Sequence, residues 1–279
     1  MAKRTRSNSI DKKLKDGRGQ GIEVNYTPWL KIQDVSSSGR ATRLKGMKIP
    51  RQFEFLSDLE QNYFYLLEYS DLVIDIREQY PLLPIEETLL IAEELGIIHP
   101  RDPKTKEPIV MTTDFLVTVS ENKERKEYAR TVKSKNDLMN ERVLEKFEIE
   151  RVFWKRRNVD WSIVTEKEIH KTMAFNIKNV REYKELHDIE GFDMMITEHL
   201  EDLIIDYIGR LLTKDDSIRA LSYEFEKDFD LLLGSGIGIF KHLVINKIIE
   251  VDLLEKIDVN QAIPIKAVHK DFSQKVKSI

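Results

Sequence analysis

TTDFLVTVSENKERKEYARTVK, residues 112–133, holds an extended apolar run, a polar middle and a second alternating run. With Ile109 as its start, the first run reaches Ser120 and reads as a strand; residues 128–133 read as another, and residues 121–126 connect them. A turn centred on Asn122-Lys123 sets Asp114 opposite Thr131, and a slip of one residue would exchange that partner for Arg130 or Val132. Thr131 and Lys133 then share a face while the Val132 side chain points away. On this reading Asp114 and Lys133 converge, with the Val132 carbonyl as a further candidate ligand. An acid on one strand and a lysine at the end of the next suit metal-dependent phosphodiester chemistry, which needs a hard oxygen ligand beside a positive charge. The alternative is a solvated Asp and Lys on an amphipathic hairpin, the commoner case for such a pair taken alone.

Working outward, LSDLEQNYFYLLEYS (residues 56–70) places Leu59, Tyr63, Leu66 and Leu67 at helical spacing. Ser57 and Glu60 have capping-box spacing, so Glu60 has a structural use at a helix start and is also a candidate second carboxylate for the hairpin site. LVIDIREQYPLLP (residues 72–84) reads as a strand, and IEETLLIAEELGI (residues 85–97) as a short acidic helix stopped by Gly96. Residues 136–158 read as one long helix with Met139, Val143, Phe147 and Trp154 along one side and Glu150 on its length. DWSIVT is a short buried strand, and Thr165 with Glu168 repeats the capping spacing. Helix, strand, helix, hairpin, helix, strand predicts an α/β domain with a mixed sheet flanked by helices.

Two segments ahead of this domain are expected to be irregular: GRGQG (residues 17–21) as a flexible turn, and residues 26–51 as chain draped over a core, including SSSGR. GRGQG fails as a nucleotide loop because no strand leads into it. From residue 169 the pattern is helical and ends in two short strands, as in a winged helix, a DNA-binding or protein-docking module. In that half, residues 200–211 carry Leu200, Leu203, Ile204, Tyr207 and Leu211 on one side, and GSGIG (residues 234–238) reads as a turn. The expected domains are residues 1–168 and 169–279, two being the better prior for 279 residues.

The absence of cysteine excludes disulfides, thiolate zinc sites and cysteine nucleophiles, and the six dispersed histidines argue against a zinc enzyme. No stretch has the apolar length of a membrane helix and the start lacks a secretory signal, so a soluble, cytoplasmic chain is expected. Net charge is −4, distributed unevenly: residues 1–51 carry 13 Lys or Arg against 4 acids, and residues 52–99 carry 11 acids against Arg77 alone. A basic arm with Arg40, Arg43, Lys45, Lys48 and Arg51 could track a phosphate backbone, and an acidic part beyond it would need metal to approach one. A disordered basic arm beside a solvated acidic helix explains the charge equally well.

GRGQG, YTPWL, SSGR, LSDLE, DIREQYPLLP, MTTDFLV, TVK and LEKFEIER occur in this order, and with them the chain resembles the TnsA family, endonuclease subunits of heteromeric cut-and-paste bacterial transposases. The resemblance covers nearly the whole length. It implies a restriction-endonuclease-like domain followed by a winged-helix domain. It also implies cleavage of the non-transferred strand at the 5′ transposon ends, while a TnsB-like DDE transposase subunit cuts and joins the 3′ ends and a TnsC-like ATPase regulator docks to the C-terminal part. The implied catalytic residues are Glu60, Asp114 and Lys133. The implied metal contacts are Glu60, Asp114, the residue at 131 and the Val132 carbonyl, for Mg²⁺ with Mn²⁺ as a substitute. Where the family has Gln, this chain has Thr131, a shorter and weaker ligand, and Glu150 matches a family acid near the site. The rival readings are a noncatalytic DNA-binding adaptor and a free-standing restriction-type endonuclease.

Overall fold

A computed structural model describes residues 7–35 and 40–269. These divide into two compact units, Met1–Ile169 and His170–Ile279.

The first unit begins with helix α1 (Ser7–Lys15) and a short antiparallel pair, β1 (Thr42–Lys45) and β2 (Gln52–Phe55). Helix α2 (Asp58–Tyr69), strand β3 (Val73–Pro81), helix α3 (Ile85–Glu94), strands β4 (Thr112–Glu121) and β5 (Glu124–Val132), helix α4 (Glu141–Arg156) and strand β6 (Asp160–Val164) follow. The main sheet has the order β3-β4-β5-β6. Its first three strands are antiparallel, and β6 is parallel to β5 because α4 provides the crossover that a parallel pair requires.

Both faces of the sheet bury apolar side chains. Leu116, Ala129, Ile149, Phe153 and Trp154 pack with Leu82, Ile91 and Ala92 on the side of α3 and α4. On the side of α2, the rings of Phe53, Phe55, Phe64, Tyr63 and Phe115 lie 4.6 to 6.2 Å apart. Because β3 is covered from both sides it is buried almost throughout rather than on alternate residues. Its charged residues are accommodated by pairing: Glu78 receives Arg51 Nη1 at 2.9 Å and Nη2 at 2.5 Å, and Arg77 faces Asp75 at 3.2 Å.

Several expectations are corrected. The connector of the hairpin is two residues, not six: Asn122 and Lys123 both take positive φ, at 51° and 70°, and residues 124–127 already belong to β5. They are polar because the end of the hairpin is exposed. The first strand starts at Thr112 rather than Ile109. Residues 135–139 form a 3-10 turn ahead of α4, which is capped by Asn140, so Met139 is exposed instead of lying on the buried side of the helix. DWSIVT forms the edge strand β6, which is only partly buried.

Residues 26–51 are more ordered than an irregular drape, since β1 pairs with β2, and Tyr26 and Trp29 are buried. The basic series is not a free stripe. Arg51 sits in the core with Glu78, and Lys48 donates to the carbonyls of Ser70 and Val73. GRGQG is a fixed turn whose three glycines are all left-handed, and a Cβ on Gly19 would lie 2.3 Å from Pro81 Cγ at the end of β3. Most of SSSGR and residues 1–6 of the basic arm lie outside the described residues.

The second unit contains α5 (Lys171–Val180), α6 (Thr197–Thr213), α7 (Ile218–Asp228) and α8 (Ser235–Ile245), then β7 (Ile249–Glu250) paired antiparallel with β8 (Ala267–Val268). The winged-helix expectation had three helices before its strands; this unit has four helices before its short ribbon. The α6 face bearing Leu200, Leu203, Ile204, Tyr207 and Leu211 is buried, as its spacing predicts. GSGIG is the first turn of α8 rather than a loop, because Gly236 lets that helix approach α7 where a Cβ would lie 2.7 Å from Ser222 Cβ. Among the described residues no helix is long and apolar enough to cross a membrane.

Candidate active site

Asp114 lies near the start of β4, at the end of the sheet where β3 and β5 also finish. The register pairs Phe115 with Arg130 and Glu121 with Glu124, which by continuation sets Asp114 across from Thr131. Asp114 Oδ2 accepts the Val132 N–H at 2.8 Å.

Glu60 reaches the same place from α2. Ser57 caps that helix by accepting the Glu60 N–H, and its hydroxyl donates to Glu60 Oε1 at 2.8 Å. Oε2 accepts the Leu56 N–H at 3.0 Å, so the acid reaches back one residue further than a Ser57 capping box would take it. Glu60 therefore caps the helix while its carboxylate lies at the same end of the sheet as Asp114. The two acids meet through Gln79, whose Nε2 lies 3.2 Å from Asp114 Oδ1 and 3.4 Å from Glu60 Oε2.

A break in the strand alternation makes this meeting possible. Glu78 and Phe115 are paired and face the α2 layer, where they meet Arg51 and Phe55. Tyr80 and Thr113 are also paired, yet both face α4, where Tyr80 packs on Trp154 and Thr113 donates to Glu150. Residues two apart on a regular strand share a face. Here Glu78 and Tyr80 do not, and between them Gln79 is left-handed at φ 49°. At that twist the Gln79 side chain reaches both Glu60 and Asp114.

Glu150 lies beneath, fully buried on α4. Its Oε1 accepts from Thr113 Oγ1 at 2.6 Å, from Trp161 Nε1 at 2.9 Å and from the Thr131 hydroxyl. The hydroxyl that the sequence offers as a metal contact is thus turned to Glu150. Lys133 follows directly after Val132; its Nζ is 3.6 Å from Asp137, its side chain is part-exposed, and its charge acts on Asp114.

Burial pushes the Glu60 carboxyl up, and the neighbouring Asp114 charge raises it further. Burial also raises Asp114, held back by the Val132 N–H, the Gln79 amide and Lys133. Glu150 is pushed up to about 7 by its burial, against the donors that ring it. Two buried carboxylates that oppose each other's ionisation fit a hard divalent cation, which would favour the doubly ionised pair. Among the described residues no group of three Asp, Glu, His or Cys side chains converges in metal-holding geometry, so neutral oxygens must complete any such set. Glu60, Asp114 and Lys133 are candidates from the sequence alone, whereas Gln79, Thr113 and Trp161, which contact these acids or Glu150, are not; of the three, only Gln79 had a signal, the REQYP run at the strand end.

A mixed sheet of this order, with acids at one end and helices on both faces, defines a restriction-endonuclease-like nuclease joined to a helical domain. Residues 70–166 match the family model of the TnsA-like endonuclease N terminal, and residues 168–253 that of the TnsA endonuclease C terminal. The Escherichia coli protein named transposon Tn7 transposition protein TnsA is 35% identical over 254 residues, covering 90% of this chain and 88% of that one. The chain belongs to the TnsA family and is an endonuclease subunit of a transposase. Nucleases of this family work with a divalent metal ion.

Proposed function

We propose that this subunit cuts the non-transferred strand at the 5′ ends of its transposon, using Mg²⁺, while a DDE-type subunit resembling TnsB cuts and joins the 3′ ends. The observation that carries the reading is the convergence of Glu60 and Asp114 on one amide, with Lys133 next to the residue whose N–H holds Asp114. Glu60, Asp114 and the Val132 carbonyl would hold the ion, and Mn²⁺ would substitute for it. When bound, the ion lowers the pKa of a water and offsets charge on the scissile phosphate. Lys133 places a positive charge where the phosphate becomes more negative in the transition state and orients the attacking water. Thr131, with Thr113 and Trp161, holds Glu150 in place beneath the acids.

In this reading residues 1–168 form the nuclease, and residues 169–279 dock a TnsC-like ATPase regulator in a cytoplasmic assembly on transposon-end DNA. The test is strand-specific cleavage by the reconstituted assembly on end-labelled transposon DNA. Asp114→Asn should leave the 3′ cuts and remove the 5′ cuts; persistence of the 5′ cuts would remove Asp114 from the mechanism.

A further inference from the structure

Glu60 and Asp114 share a side chain that none of the site's motifs assigns. Gln79 is 2% exposed, its backbone is left-handed, and its carbonyl accepts the Trp29 N–H at 3.2 Å, so its stem is fixed. The carboxamide is fixed only at its two ends. Nε2 faces both acids, and Oε1 accepts from Thr112 Oγ1 at 3.1 Å.

A primary amide presents donors on one side and an acceptor on the other, and the torsion that exchanges them is broad and nearly two-fold. Thr112 can donate or accept, so it satisfies either orientation of the amide. With the N–H groups toward the acids, Gln79 holds two carboxylates that would otherwise repel. With the oxygen toward them, it presents a neutral hard ligand. A divalent cation beside the two acids repels the first orientation and attracts the second.

Charge favours an amide at this position. Two carboxylates balance one divalent cation, whereas a third would leave the site negative and oppose the approach of a DNA phosphate.

We infer that Gln79 is a metal ligand of this site, which turns its carboxamide over on the backs of Thr112 and the fixed strand so that Oε1 faces the ion held by Glu60 and Asp114. The inference rests on the metal-site reading proposed above. In the absence of metal the same side chain is the spacer between the acids.

The experiment is Mn²⁺ binding to the purified full-length chain, followed by electron paramagnetic resonance, with the melting temperature recorded without metal. Wild type, Asp114→Asn, Gln79→Leu and Gln79→Glu are compared. Gln79→Leu should weaken Mn²⁺ binding roughly tenfold to a hundredfold. Gln79→Glu, which keeps an oxygen at the position, should bind at least as tightly as wild type, a rescue that a purely structural role would not produce. The side-chain NH₂ resonance of Gln79 should also move when the wild-type protein is titrated with Mg²⁺. Unchanged or tighter binding by folded Gln79→Leu would overturn the inference, as would lost binding in Gln79→Glu. Equal binding by wild type and Asp114→Asn would overturn the metal-site reading itself, and the inference with it.

Discussion

The Val132 amide donates to Asp114 Oδ2 at 2.8 Å, so the acid on β4 is held by the backbone of the residue that precedes Lys133. One hydrogen bond thereby links the hairpin register, the orientation of the acid and the position of the lysine. A slip of the hairpin by one residue would present a different amide to Asp114 and move Lys133 off the site.

The Lys133 side chain is part-exposed and pairs with Asp137 only at 3.6 Å, so its loss should cost the fold little. Lys133→Ala should lower cleavage by roughly a hundredfold to a thousandfold, with the melting temperature unchanged. A single-turnover cleavage assay beside a thermal melt checks this; an unaffected rate would take Lys133 out of the reaction.

Arg51 and Glu78 form a buried pair at 2.5 Å beneath the site, and Arg51 is what pulls the Glu78 carboxyl down against its burial. Arg51→Met leaves a buried acid unpaired and should cost about 3–5 kcal/mol, while the double change Arg51→Met with Glu78→Leu should lose less. Urea unfolding followed by tryptophan fluorescence reports on the first unit alone, because Trp29, Trp154 and Trp161 all lie in it. Equal losses in the single and double variants would show that pairing is not what Glu78 requires.

Gly17 and Gly19 both have φ 71°, but only at Gly19 would a Cβ strike Pro81. Gly17→Ala should lose about 1–2 kcal/mol for the left-handed backbone. Gly19→Ala should lose about 1–3 kcal/mol more for the forced contact, and, since Pro81 follows two residues after Gln79, activity as well. The same unfolding assay separates the two; equal losses would mean the turn moves away from Pro81.

His242 is fully buried and lies with Nδ1 2.9 Å from the Tyr183 carbonyl. Burial pushes its pKa from 6.5 down to about 4. The unfolded chain therefore takes up the proton first as pH falls. The second unit should keep its full stability above about pH 6.5 and lose it progressively toward pH 4, by about 3 kcal/mol in all. Calorimetry of wild type and His242→Gln across this range tests it: the variant, which has no group to protonate there, should show a flatter pH dependence.

How much of this was legible in the chain depended on the range of the interaction. A turn centred on Asn122-Lys123 put Asp114 across from Thr131, but alternation left a one-residue slip open, and only the two-residue turn seen in the structure settles that register. Ser57 three residues before Glu60 announced the helix start, and the α6 spacing announced its buried face, both being matters of neighbours in sequence.

The tertiary structure decided the rest. Glutamine in a strand carries no local signal that it will turn left-handed, and only packing of the Trp29 segment and β4 around Gln79 holds it there. The pairing of Arg51 with Glu78 and the turning of Thr131 toward Glu150 join polar residues far apart in sequence, for which no periodicity exists to be read. Local patterns determine elements and registers because they act over a few bonds. The site required three separate elements to bring buried charges within hydrogen-bonding distance, and that cost is met only once the core has closed around them.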